Sequence, residues 1–542
     1  MDRGTFRPFA CGFLLSLGCL VAGSDGAARA QEPPPPTPPS VNPPSAPDTS
    51  APATTREAEL EARIRKLESL VESLSSQVSA GAAAGGGTAP GGGAGTASPD
   101  VGTPATAAAP SGMGGAGAPG QSNPPNPPPS ARFDSPATLD SIKGNVKFGP
   151  GFEIRTDDDE YIFQFHDLTQ LDYRGYLQGG QTTIKDTFAF PRQWFMFSGR
   201  LSKPFGYFVS LANGFDTLSI LDVFADVDYD PRFRIRAGRF KTPFTYEFFV
   251  EPVQGLVIPE RSMFFNNFGM NRDIGFMAFG RLANKTVDYA AGLFNGSRNG
   301  FIDQDNSKDV AAFLNYRPFG NNQDSIFENF NIGGSVFAGN EDHAAVPQTF
   351  RTVVPTTGNA LLGVPFLGLN SNVIESGHRA FWDLHTAWYY KQLAFVGEWG
   401  SGDQSYALAG SPSKRTQVGV QSFYLQASYL LTGETRSSIG IVKPKNPFDI
   451  RKGKFGTGAI EPFFRYEYMD IGQEVFTHGL ADPNNWAHRL FATHVGLNWH
   501  LTQYIKMYFD WNHDEFNNPV VFAPGRRQLT SDMFLLRLQI YF

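Results

Sequence analysis

The closing stretch Asp532 to Phe542, DMFLLRLQIYF, constrains this chain more than any other. Phe534, Leu536, Leu538, Ile540 and Phe542 are apolar, and Arg537, Gln539 and Tyr541 stand between them. Side chains alternate across a strand, so the segment reads as a β-strand with one greasy and one polar face. Its apolar face has two homes. It meets the core of a sandwich, or it meets lipid around a barrel whose lumen takes the polar face.

The same texture fills the chain from about Gly149 onward. Alternating segments, about sixteen from 160–177 to 532–542, follow one another between Gly, Asn, Asp and Pro. In 489–501, Phe491, Val495, Leu497, Trp499 and Leu501 oppose His494, Asn498 and His500. In 505–512, Ile505, Met507, Phe509 and Trp511 oppose Lys506, Tyr508, Asp510 and Asn512. A sandwich of this length would need several domains joined by linkers, and no linker interrupts the run. The expectation is an all-β fold, a 16-stranded antiparallel transmembrane β-barrel over 148–542. Composition agrees: 49 Phe, 18 Tyr and 7 Trp are many for a soluble domain, and they are expected on lipid-facing strands and girdles. Beyond the N-terminal segment no apolar run reaches about 18 residues, which excludes a helical membrane protein.

The first 147 residues are different in kind. Residues 1–30 read as a signal peptide, with Arg3 and Arg7 before the apolar Phe9 to Val21 and Ala28-Arg29-Ala30 at the cleavage site. Both cysteines, Cys11 and Cys19, lie inside it, and the residues before Cys19 fit a lipoprotein acylation pattern poorly. Residues 31–55 form a Pro-rich linker, and 79–147 a Gly/Ala/Pro-rich tether without the makings of a core. Between them, 56–78 spaces Leu60, Ile64, Leu67, Val71, Leu74 and Val78 as a heptad seam, a short coiled coil. Its seam chemistry leans toward two strands.

Three connections are long: Lys241 to Arg272, Glu341 to His378 and Arg436 to Gly458. The first holds Phe244, Tyr246, Phe248, Phe249, Met263, Phe264, Phe265 and Phe268, too many large apolar groups for a solvated loop. Folded into the lumen it would be a constriction, carrying Lys241, Glu247, Glu251, Glu260, Arg261 and Arg272.

These segments together resemble the phosphate-selective porin O and P family. The resemblance is carried by IRAGRFKTPFTYEFF (235–249), PERS (259–262), RDIGFMAFG (272–280), YAAGLFNG (289–296), SYLLTGETR (428–436), KPKNPF (443–448), RYEYMDI (465–471) and the terminal RLQIYF. It covers the whole barrel, and the terminal Phe resembles the assembly signal of outer-membrane barrels. It implies a trimeric water-filled channel in the outer membrane, a third external loop folded inward, and basic residues along an anion path. Arg192, Arg200, Arg232, Arg234, Arg236, Arg465 and Arg537 fall on polar faces and resemble the family's arginine ladder. Pairing with Asp222, Asp226, Asp228, Glu461 and Glu467 explains them equally well. One departure stands out. Phosphate-specific members cluster lysines at the constriction, whereas here Arg261 is the one basic residue between Lys241 and Arg272.

Other classes fare worse. The nine His are dispersed, and no G-x-S-x-G, H-E-x-x-H or Cys/His spacing occurs, so no enzyme, cofactor or metal is expected. No basic tract suggests nucleic acid. The expected role is passive diffusion of small hydrophilic solutes, with anion or phosphate preference open. A structural anchor is the alternative, joining outer-membrane lipid to the periplasm, with peptidoglycan a candidate contact of the N-terminal region.

Overall fold

The computed structural model describes residues 144–542, apart from 150, 178–184, 215–216, 354–361, 454 and 524. The expected signal peptide, linker, coiled coil and most of the tether lie outside the described residues.

A hairpin comes first, β1 (Gly144–Gly149) and β2 (Gly151–Thr156). The wall then runs through β3 (Ile162–Tyr176), β4 (Thr187–Ser202), β5 (Phe205–Gly214), β6 (Thr217–Asp230) and β7 (Phe233–Lys241). It continues with β8 (Arg272–Leu282), β9 (Val287–Phe294), β10 (Asp309–Tyr316) and β11 (Asn329–Ala344). A separate small hairpin, β12 (Thr349–Arg351) and β13 (Pro365–Gly368), precedes β14 (Val373–Tyr390). The wall ends with β15 (Leu393–Leu408), β16 (Thr416–Tyr429), β17 (Ala459–Ile471), β18 (Arg489–His500), β19 (Ile505–Ala523) and β20 (Arg526–Tyr541).

Eighteen strands share one sheet. Sixteen of them close into a ring, because β20 pairs antiparallel with β3 from Met533↔Tyr176 to Tyr541↔Leu168. The β1–β2 hairpin continues below that seam, with β2 pairing Ile162 to Phe165 of β3. A closed ring leaves no strand edge exposed to lipid, which a bilayer requires. Alternation sorts the side chains: along β10, Asp309, Ala311, Phe313 and Asn315 are buried while Val310, Leu314 and Tyr316 are exposed. Phe276, Leu384, Leu425, Phe464 and Phe534 continue the exposed apolar belt around the outside.

The inside is filled from both rims. The loop 242–271 enters from the rim opposite Phe542, bearing α1 (Tyr246–Phe249) and α2 (Met263–Phe268). Its aromatic side packs on the wall: Phe244 meets Phe337 edge-on at 4.6 Å, and Phe264 and Phe268 meet Phe381 at 6.0 and 5.4 Å. The loop 345–372 enters beside it, seating Phe350 5.2 Å from Phe268. The long turn 430–458 leaves β16 at the Phe542 rim, and its Gly440 lies against Gly255 of the inward loop.

The expectation of lipid-facing phenylalanine holds for Phe276, Phe464 and Phe534 but not for Phe240, Phe337 and Phe381 of the wall, which are buried inside the ring with Phe244, Phe264 and Phe268 of the inward loop. A loop with one aromatic side needs an aromatic inner wall to cover it, and β7, β11 and β14 supply that wall.

Candidate functional site

The other side of the inward loop is polar and faces β17 to β20, β3 and β4. Glu260 is its centre. Arg174 of β3 approaches Glu260 Oε1 with Nη2 at 3.1 Å, and Arg192 of β4 approaches Oε2 at 2.5 Å. Arg537 of β20 donates to the same carboxylate and, through Nε and Nη2, to Asp172 at 2.6 and 2.8 Å. Arg174 also pairs with Asp172 at 3.1 Å. Three guanidiniums thus share two carboxylates, all with side chains at most 1 % exposed. Register explains the convergence: Arg537 pairs directly with Asp172, and Gln170 directly with Arg192. Burial alone would raise the Glu260 carboxyl, but Arg192, Arg537 and Arg174 outweigh it and hold it at about 2.

The same loop is fastened by its backbone. Gln539 donates to the Gln254 carbonyl at 2.9 Å, Lys506 to Leu256 at 2.7 Å, and Asn498 to Val257 at 2.9 Å. The first turns of α1 and α2 meet acids of the wall instead. Glu398 accepts the N–H groups of Tyr246 and Glu247, both at 2.8 Å, and Glu467 accepts that of Met263 at 2.9 Å.

The structure distributes the sequence-predicted residues among several groups. Arg192 and Arg537 belong to the Glu260 cluster. Arg465 pairs with Glu247 and, at 3.1 Å, with Glu467. Arg272 pairs with Asp222 at 2.9 Å. Lys241 donates to the Phe248 carbonyl at 2.8 Å, and Arg261 to the Glu251 carbonyl at 2.9 Å. Lys241, Arg261 and Arg272 stand around the Phe248 ring at 5.1, 5.2 and 5.6 Å from its centroid. Glu251 is buried beside Glu247 and Glu398, which pushes it up to about 8. Arg236 lies 2.8 Å from Asp226 and Arg234 lies over Phe279 at 4.6 Å. Arg200 reaches the Asp159 carbonyl at 3.2 Å.

Two differences from the sequence reading follow. Arg232 lies in the turn before β7, exposed and paired with Asp230, so the row on β7 holds two arginines and not three. The Asp172–Arg174 pair adds to the expected site residues, and alternation along 162–176 places both beside Gln170 on the polar face.

A closed sixteen-stranded barrel with an apolar outside, a charged lumen and a loop folded within it defines an outer-membrane channel. Residues 164–542 match the phosphate-selective porin O and P family, and the chain belongs to it. The protein is a porin, a channel for passive diffusion of small hydrophilic solutes across the outer membrane. No curated protein sequence matches it. Among solved structures it is similar to the anion-selective porin from Comamonas acidovorans, at 10% identity and TM-score 0.43 over 71% of this chain and 100% of that one. It is also similar to OmpF of Salmonella typhi in complex with daunomycin, at 11% and 0.45 over 72% and 100%. OprB of Pseudomonas putida follows at 10% and 0.44 over 71% and 95%. Membership of the family rests on the sequence match and not on these distant likenesses.

Proposed function

We propose that this porin favours small hydrated anions, drawn by the field of the charged wall, β17 to β20, β3 and β4, that holds the inward loop. The observation that carries this reading is the excess of cations at the loop tip, where, among the described residues, Arg174, Arg192 and Arg537 pair with the two carboxylates of Asp172 and Glu260. Because these guanidiniums are buried, a passing anion feels their field without touching them and keeps its water. Phosphate is held weakly in this reading. A dehydrated dianion needs several converging free cations, and the guanidiniums of this cluster are already engaged.

An even strand number puts both ends of the barrel at the periplasmic rim. The N-terminal coiled coil then hangs in the periplasm on its tether, three barrels assemble through their walls, and peptidoglycan is a candidate contact for the free end. The deciding measurement is the reversal potential across a potassium chloride gradient in a planar bilayer, repeated with millimolar phosphate. Anion preference at low salt, with little block by phosphate, is expected. A cation-side potential would defeat the reading.

A further inference from the structure

A second charged group lies on β11 and β14, toward the rim opposite Phe542 and apart from the Glu260 cluster. Glu341 and His343 are two residues apart on β11, so they share a face, and His343 pairs in register with Glu375 of β14. One donor atom from each, two carboxylate oxygens and an imidazole nitrogen, lies within 4.8 Å of the others.

Two observations show that this group is short of positive charge. The first is the imidazole. Nδ1 of His343 lies 2.7 Å from the Ala344 carbonyl, and Nε2 lies 2.5 Å from Glu341 Oε2. A neutral imidazole has one N–H, yet both nitrogens face oxygens that only accept. One of the two contacts therefore needs a second proton on the ring or a metal ion at Nε2. The second is the count of charges. Arg379 lies 2.6 Å from Asp309, 2.7 Å from Glu341 and 3.9 Å from Glu375, one guanidinium among three buried carboxylates. Arg298 reaches them through Gln404, which it meets at 3.2 Å and whose amide donates to Glu375 at 2.8 Å. With the imidazole neutral, these groups carry a double negative charge away from water, which is unfavourable and which a divalent ion removes.

We propose that Glu341, His343 and Glu375 hold a divalent transition metal ion of the zinc class. One imidazole and two carboxylates suit such an ion, whereas calcium and magnesium take oxygen ligands alone. The Nδ1–H of His343, donated to the Ala344 carbonyl, orients the ring and leaves Nε2 for the metal. Donors about 2.0–2.1 Å from a tetrahedral ion lie roughly 3.3 Å apart, so the Nε2–Oε2 contact opens by less than about 1 Å. Glu375 Oε1 also accepts the N–H of Val346 at 2.8 Å, just where the chain leaves the wall for the loop 345–372. The ion therefore fastens the root of that loop. His343 is partly exposed, which gives the ion a way in.

Calorimetric titration of Zn²⁺ into the purified, chelator-stripped protein in detergent tests the site. One ion per chain is expected, with affinity lowered at least about tenfold by His343→Gln and by Glu375→Gln. His478→Gln, at an exposed histidine elsewhere, should leave the affinity unchanged. Absence of saturable binding, or equal affinity in His343→Gln, overturns the proposal. A second measurement needs no variant: Cu²⁺ bound to the unaltered protein should show magnetic coupling to a single imidazole nitrogen. Bound copper without nitrogen coupling overturns it as well.

Discussion

Arg192 of the wall grips Glu260 of the inward loop with both terminal nitrogens, Nη2 to Oε2 at 2.5 Å and Nη1 to Oε1 at 3.3 Å. A forked contact of this kind fixes direction as well as distance. Because Arg174 and Arg537 share the same carboxylate, the tip of the loop is joined to three wall strands through one side chain. Glu260 thereby fixes the tip of the loop and, in the proposed function, tempers the positive field of the three arginines.

Glu260→Gln should therefore move both. Removing one partner of a buried ion pair typically destabilises by about 3–5 kcal/mol, because the remaining charges lose their answer. Asp172 alone would then face three guanidiniums. We expect a lower unfolding temperature in detergent, larger single-channel conductance and stronger anion preference. Unchanged conductance and selectivity together would show that Glu260 controls neither the loop nor the field.

The two loop acids respond to pH in opposite directions. Glu260, at about 2 in the folded protein, contributes stability that is full above the unfolded carboxyl pKa and is lost as pH falls toward about 2. Glu251, raised to about 8, keeps a proton that the unfolded chain gives up near about 4.3. It therefore subtracts stability as pH rises from that unfolded value to about 8. Glu251→Gln should match the wild type near the acid end of this window and unfold at higher temperature at its alkaline end. Thermal unfolding at both ends reads this directly, and an identical pH profile for the two proteins would refute it.

The meeting of Gly255 and Gly440 is asymmetric. A Cβ on Gly255 would stand 2.6 Å from the Gly440 Cα, whereas one on Gly440 meets nothing within 4 Å. Backbone cannot swing aside as a side chain can, so overpacking here should be unfavourable by about 1–3 kcal/mol. Gly255→Ala is expected to lower stability and to make channel current noisier, and Gly440→Ala to be silent. Equal effects of the two would separate the turn 430–458 from the inward loop.

The wall was legible because lipid and lumen impose period two on every strand, as 505–512 shows. The strand ends were not. β19 continues to Ala523 through Asn517, Asn518 and Pro519, where no alternation marks a strand. Arg192 and Arg537 could be placed on the lumenal face by the same rule, and Asp172 with Arg174 was equally readable. Their common partner was not readable, because which acid meets which arginine depends on the path of a loop without period. The metal-site candidate was hidden for a related reason: Glu341-x-His343 joins Glu375 through strand register and not through spacing.

Deleting residues 31–131 should leave a folded oligomer that still conducts. The segment lies outside the described residues, and the barrel closes through its own strand pairs. Three heptads are marginal alone, so a coiled coil there is expected to add to an assembly made by the wall and not to create it. Heat-modifiable migration and bilayer conductance of the deletion check this. Loss of every oligomer would assign assembly to the helix.

Selectivity should also depend on the arginines of β7. Arg234 and Arg236 share one face of a strand rising about 3.3 Å per residue, so their Cα atoms lie roughly 6.6 Å apart. Arg236 is answered by Asp226 at 2.8 Å, whereas Arg234 rests over the Phe279 ring. Exposed charge is screened within about 8 Å at physiological salt, so the pair should act at low salt and fade at high salt. Arg234→Glu combined with Arg236→Glu reverses the sign of this stretch and sets Asp226 against a second acid. The reversal potential should shift toward cations, most at low ionic strength. If it stays where it was, anions do not pass along β7, and the preference arises at the Glu260 cluster alone.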